Sequence, residues 1–284
     1  MIYILLTIIG LALGSFVNAL VWRLREQEDV SGKKPSKKRN QYLKDLSIMK
    51  GRSMCTHCHH QLVARDLIPV LSWLSLGGKC RYCGKPIGWQ YPFVEMLTAI
   101  AFIVSYIYWP SGFHGLGLLE FICWLLLMTG FMALAVYDLR WFLLPNRIIY
   151  PLLVLTVVEL VASILFFHGG TRSLLGSIWG VLIGGGIFYI LFQASGGKMI
   201  GGGDVKLGAL LGLLIGGPID ACLLLFVASL CGTIIALPLM AAGKAKRTTL
   251  VPFGPFLLLA AFLIELFGTS LVMWLRQRGY LPPA

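Results

Sequence analysis

The sequence predicts an all-α polytopic membrane protein of about eight transmembrane helices, with a small cytoplasmic zinc-binding insert between the first and the second. Three observations carry this. Only 13% of the 284 residues are charged while 57% are hydrophobic, against about 25% charged in a soluble domain. Apolar stretches near the ~20 residues needed to cross a bilayer recur along the chain. The formal net charge of +12 is concentrated, with residues 23–91 holding 14 of the 24 Lys+Arg and 5 of the 12 Asp+Glu. The composition excludes an ordinary soluble domain and a disordered chain.

The expected spans are 2–22, 92–109, 116–137, 148–167, 173–192, 205–217, 219–241 and 253–274. The sixth is short and glycine-rich, and its start can fall inside the preceding glycine run. The first lacks the basic n-region and small-residue cleavage site of a signal peptide, so it reads as an anchor. The domains expected are the first helix at 1–22, the insert at 23–91 and a membrane core at 92–284.

Lys and Arg mark cytoplasmic loops. The alternate loops that include the insert hold 21 of these residues, and the opposite loops and tail hold 3. The insert is therefore expected in the cytoplasm, and an even number of spans puts both termini outside.

Four of the seven cysteines form two Cys-x-x-Cys pairs, Cys55/Cys58 and Cys80/Cys83, with 21 residues between the pairs. Two such knuckles can wrap one tetrahedral Zn²⁺ with four thiolates. Disulfides are disfavoured in a reducing cytoplasm. Gly84 can take the turn behind the second knuckle, and His57, His59 and His60 read as solvated loop residues. A closed four-sulfur site has no open position for substrate, so its expected work is folding the insert. Cys123, Cys222 and Cys231 lie in apolar spans and read as buried small hydrophobes. Residues 33–39 form a basic arm suited to anionic lipid.

Seven acids lie outside the insert, and a carboxylate in or near hydrocarbon is a functional hypothesis by default. Glu120, Glu159 and Asp220 fall near expected outer ends, where water reaches them, and Glu265 reads as a packing or hydrogen-bonding residue. Asp138 ends the third span, and Asp204 ends the run Gly201-Gly202-Gly203-Asp204. Both fall on the cytoplasmic side by the charge count. Two neighbouring carboxylates share a proton, so one can activate water while the other donates to a carbonyl oxygen. The alternative for these residues is two helix-end aspartates in water.

At these residues the chain resembles the type IV prepilin peptidases, and in its Gly-x-Gly-Asp motif other membrane aspartyl proteases such as presenilin. The motifs run in order: Gly14-Ser15-Phe16-Val17-Asn18 with Arg23, both cysteine pairs, Ile68-Pro69-Val70-Leu71-Ser72-Trp73, Tyr91-Pro92-Phe93-Val94-Glu95, Asp138 with Leu143-Leu144-Pro145, the glycine run to Asp204 with Lys206, and Pro252-Phe253-Gly254-Pro255-Phe256. The resemblance implies Asp138 and Asp204 as the catalytic pair. It also implies cleavage of basic leaders of prepilins and pseudopilins after a glycine, N-methylation with S-adenosylmethionine, and residence in the bacterial cytoplasmic (inner) membrane. Asp66, Glu95, Gly201, Gly203 and Lys206 are substrate or methylation candidates. Thr56, Leu67, Asn146 and Arg25 depart from the family pattern; Leu67 and Arg25 bear on methylation rather than cleavage. No glycine-rich fingerprint of a soluble methyltransferase is present, so methylation rests on the resemblance alone.

Other readings remain open at this point: a peptidase without methylation, a transporter with a zinc-bound regulatory domain, or a nucleic-acid binder using the basic insert. No internal repeat favours the transporter. Nucleic acid is not expected as a partner, because the multi-span body would serve no purpose; the expected partners are prepilins or pseudopilins and the lipid bilayer.

Overall fold

The structure, a computed structural model, describes residues 1–32, 37–48, 51–166, 174–243 and 251–280. Among these residues it is helical without strands, apart from two isolated antiparallel bridges, Met54 with Gln61 and Lys79 with Pro86. Seven helices among the described residues are long and apolar enough to cross a membrane. The chain is a multi-pass membrane protein.

The described residues form two compact units that divide between Ile107 and Tyr108. In the first unit, α1 (Ile2–Ser31) and α4 (Gln90–Ile107) pack together, and the insert lies between them in sequence. Gly14 permits this approach, since a Cβ there would stand 2.6 Å from the Cα of Glu95. The second span therefore groups with the insert. Helix α1 also runs nine residues past the expected end at 22. It is held there because Arg23 donates to the carbonyls of Ser47, Ile48 and Gly51 at 3.2, 3.3 and 3.0 Å. Two short helices follow, α2 (Lys37–Asp45) and α3 (Leu71–Ser75), with a 3₁₀ turn at Ala64–Leu67 between them. Residues 33–36 of the basic arm lie outside the described residues, and Lys37 opens α2.

The second unit contains α5 (Leu116–Trp141), α6 (Asn146–Phe166), α7 (Leu174–Ser195), α8 (Gly202–Ile215), α9 (Pro218–Ala241) and α10 (Gly254–Gln277). On α5 the side chains at 124, 127, 131, 134 and 138 fall on one buried stripe at helical spacing. On α9, Phe226, Leu230, Ile234 and Leu237 are all exposed on one face. In water such a stripe would be costly; in a bilayer it is the lipid-facing surface.

Helix α8 is as short as the sixth expected span and starts inside the glycine run, at Gly202. At 14 residues it is about 21 Å long, short of the ~30 Å hydrocarbon core. It runs antiparallel along α7, with Gly212 against Gly180 and Gly208 against Gly184; a Cβ at any of the four would overlap the opposing carbonyl oxygen. On that register the start of α8 is recessed. Asp204 falls level with Phe188, roughly two turns before the end of α7 at Ser195. Two further sequence expectations differ from the fold. Glu159 is buried within α6, 9% exposed, rather than at a wet end. Cys222 is exposed, and Cys123 and Cys231 are half-buried, because those positions lie on helix faces left uncovered by protein.

Candidate active site and metal centre

Asp138 sits in the last turn of α5, and the buried stripe of that helix carries it inward to 5% exposure. Phe142 then ends the helix in the left-handed region at φ 55°, its N–H donating to the Asp138 carbonyl at 2.9 Å. This stops α5 one turn beyond the carboxylate. The side chain accepts the backbone N–H of Gly254 on Oδ2 at 3.1 Å. Gly254 opens α10, so the Pro-Phe-Gly-Pro-Phe segment supplies a donor to Asp138. No local signal around either residue announces that pairing.

Asp204 lies in the first turn of α8 and is half-buried. Its Oδ2 accepts the N–H of Gly201 at 3.3 Å, and the Asp204 N–H returns to the Gly201 carbonyl at 3.1 Å. This reciprocal pair is the capping geometry of a carboxylate three residues into a helix. The two aspartates stand close enough for their charges to interact. Leu144 lies against both helix starts: a Cβ on Gly203 would come 2.9 Å from its Cβ, and one on Gly254 3.5 Å from its Cδ2. Among the described residues, no donor other than these two backbone amides is bonded to either carboxylate. Lys206 points elsewhere, donating to Asn146 Oδ1 at 2.9 Å beside the ring of Tyr150.

In the first unit the four cysteine sulfurs lie within 4.8 Å of one another. The Cys55 and Cys83 sulfurs are 3.9 Å apart, close to the ~3.8 Å edge of a tetrahedron with ~2.3 Å Zn–S bonds. The two knuckles repeat one backbone pattern. The N–H of Cys55 donates to His60 and that of His59 to Cys55; likewise Cys80 to Lys85 and Gly84 to Cys80. The fifth position of each turn is left-handed, Gly84 at φ 68° and His59 at φ 55°. Burial opposes ionisation of Cys55, but the amides of Cys58 and His57 and the neighbouring thiols bring it down to about 7. At Cys83 the Lys85 amide pulls downward, while burial and the other three sulfurs carry it up to about 11. Four sulfurs gathered this closely form a donor set that fits a single dication.

A cavity of ≈ 150 Å³ opens beside the knuckles and includes both Asp66 and Glu95 in its lining. Asp66 is already committed. Arg81 donates to its Oδ1 at 2.8 Å and Tyr82 to its Oδ2 at 3.0 Å, with the side chain 3% exposed. Burial opposes its ionisation, but the Arg81 and Tyr82 bonds outweigh this and hold its carboxyl below the usual range. Glu95 is 7% exposed. Its Oε2 accepts the N–H of Val70 at 2.7 Å, and Ser15 lines the cavity with it.

Comparison with known proteins adds an independent line. The family model "Bacterial Peptidase A24 N-terminal domain" matches residues 8–109, and "Type IV leader peptidase family" matches 124–237. The chain is 35% identical over 263 residues to a type 4 prepilin-like proteins leader peptide-processing enzyme of Escherichia coli O78:H11, covering 89% of this chain and 90% of that one. It is 32% identical over 279 residues to a prepilin leader peptidase/N-methyltransferase of Pseudomonas aeruginosa, with 95% and 92% covered. A Xanthomonas campestris protein of the same name is 31% identical over 271 residues, with 93% and 91% covered. No solved structure matches the chain.

Proposed function

The chain belongs to the type IV leader peptidase family, and from that membership we propose that it cleaves the basic leader of type IV prepilins and pseudopilins after a glycine and N-methylates the new terminus. The observation that carries the cleavage reading is the pair Asp138 and Asp204. Both sit at helix ends, each is oriented by one backbone amide, and no side-chain donor among the described residues is bonded to either.

The proposed chemistry is direct hydrolysis. The ionised aspartate takes a proton from a water, whose oxygen attacks the scissile carbonyl. The protonated partner donates to the carbonyl oxygen as it becomes tetrahedral. Collapse breaks the C–N bond: the amine leaves with the proton first taken from water, and the other aspartate recovers its proton from the gem-diol hydroxyl, which restores the dyad. Gly201 leaves the approach to the Asp204 carboxylate without a side chain, and Gly203 makes room for Leu144 beside it. Lys206 is proposed to position the start of α8 through Asn146 rather than to touch substrate.

Cys55, Cys58, Cys80 and Cys83 are proposed to hold a structural Zn²⁺, and Asp66 to brace the second knuckle through Arg81. S-adenosylmethionine would supply the methyl group. The ≈ 150 Å³ cavity encloses at most part of so large a donor. By the Lys/Arg count the insert faces the cytoplasm of the bacterial inner membrane and both termini lie outside. The transporter and nucleic-acid readings have no comparable support.

The test is mass spectrometry of a prepilin co-expressed with the protein. Loss of the leader mass together with a gain of one methyl is expected. An unprocessed substrate in the presence of inserted protein would refute the reading, and leader loss without the methyl would leave a peptidase alone.

A further inference from the structure

Resting on the methylation reading, we infer that the cavity of the first unit receives the N-terminal ammonium of the processed chain, with Glu95 as its counter-ion and proton acceptor. Four observations carry this. The first is an uncompensated charge. Glu95 is 7% exposed and forms no ion pair among the described residues. Two cations line the same cavity, but neither is available. Arg23 is spent on three backbone carbonyls and Arg81 on Asp66. A buried carboxylate held only by hydrogen bonds is costly, and an incoming cation offsets that cost.

The second is strain aimed at the same atom. Val70 is β-branched yet sits at φ 60°, ψ −51°, a conformation such residues rarely adopt. Its N–H is thereby directed onto Glu95 Oε2 at 2.7 Å. Strain of this kind persists where the surroundings hold it, and it gathers at ligand sites.

The third is the wall. Trp22, Trp73 and Tyr91 line the space together with Leu62, Leu76 and Ile87. Aromatic faces favour a desolvated cation, and the aliphatic groups suit an apolar body attached to it. The fourth is size. A cavity of ≈ 150 Å³ has room for roughly ten water-sized groups, about what one large apolar residue with its ammonium needs.

The proton step balances on these atoms. An α-amino group titrates near ~8, so it arrives mostly as ammonium. One N–H bond breaks, the electron pair stays on nitrogen, and the proton forms an O–H bond on Glu95. The neutral amine is then a nucleophile, and Glu95 later returns the proton to water through the cavity mouth.

The test uses the full-length zinc-loaded protein in detergent. Calorimetry compares L-phenylalaninamide with its N-acetyl form, and S-adenosylmethionine with its neutral thioether counterpart. The free amine is expected to bind at least 10-fold tighter than the acetylated form, and E95Q is expected to abolish that preference. E95Q keeps a carbonyl acceptor for Val70, and its zinc content reports whether the insert is intact. Independently of any variant, a carbodiimide activates carboxyl groups and an amine already held beside one attacks first, so at low L-phenylalaninamide concentration Glu95 of the wild-type protein should be amidated ahead of the exposed Glu28 and Asp29. An equal affinity for the two amides, or no adduct at Glu95, overturns the inference. A Glu95-dependent preference confined to the sulfonium also overturns it, because the cavity would then be the donor's. Prepilin methylation by the wild-type protein is scored separately, so a protein that methylates without this preference sinks the inference and spares the reading.

Discussion

The backbone N–H of Gly254 lies 3.1 Å from Oδ2 of Asp138, although the two residues are 116 positions apart. A Cβ at 254 would stand 2.6 Å from that oxygen. The glycine is thus needed for close approach rather than for an unusual φ. Gly254→Ala should push the Asp138 carboxylate off its donor while the apolar contacts of α10 persist. A displacement approaching 1 Å at a reacting group costs on the order of 10²-fold. Prepilin cleavage in membranes is expected to fall by about that factor with normal insertion. Cleavage within twofold of wild type would mean that this amide does not orient the group.

Asp138→Asn and Asp204→Asn should each stop cleavage, because either change leaves the pair unable to hold one acid and one base. The isosteric amides keep a carbonyl oxygen for the Gly254 and Gly201 amides, so the fold should survive. A loss of more than about 10³-fold is expected from each. The double variant should be no worse than either single one, since the two act as a unit. Additive losses in a quantitative cleavage assay would argue for two independent roles.

Removal of the metal should separate the two activities. Cys55 and Cys80 line the cavity that holds Glu95, so a collapsed knuckle deforms that wall directly, whereas the aspartates belong to the other compact unit. Cys55→Ser combined with Cys58→Ser should take bound zinc from about one per chain to none. Methylation should fall well below cleavage in the same cells. Equal loss of both, read from one mass spectrum, would make the metal a support for the whole enzyme.

Much of this was legible in the sequence, for identifiable reasons. The spans follow from long apolar runs, the four-cysteine cluster from the Cys-x-x-Cys spacing, and the candidate acids from carboxylates where hydrocarbon should be. What escaped was pairing in space. Nothing near Asp138 points to Gly254, nothing near Asp66 points to Arg81, and the positive φ of a valine at 70 runs against local preference. The shortness of α8 was legible, but glycine-rich sequence fixes neither the exact start of that helix nor its depth. Both follow from the contacts of Gly208 and Gly212 with α7. The burial of Glu159 is not legible in the sequence, because a count of residues per span does not reveal which face is covered.

Those contacts make a prediction whose sign differs between two glycines of similar sequence setting. Ala exceeds Gly in intrinsic helix stability by ~0.5–1 kcal/mol. At Gly186 a Cβ meets nothing within 4 Å, so Gly186→Ala should stabilise the protein by about that amount. At Gly208 a Cβ would overlap the Gly184 carbonyl oxygen and come 2.6 Å from the Phe188 ring. Overpacking of this kind costs ~1–3 kcal/mol, which exceeds the helix gain, so Gly208→Ala should destabilise. It should also lower cleavage, because Asp204 lies one turn away on the same helix and moves with it. Thermal unfolding in detergent reads both effects: the midpoint rises for Gly186→Ala and falls for Gly208→Ala. A rise for Gly208→Ala would mean that α7 and α8 do not pack backbone to backbone.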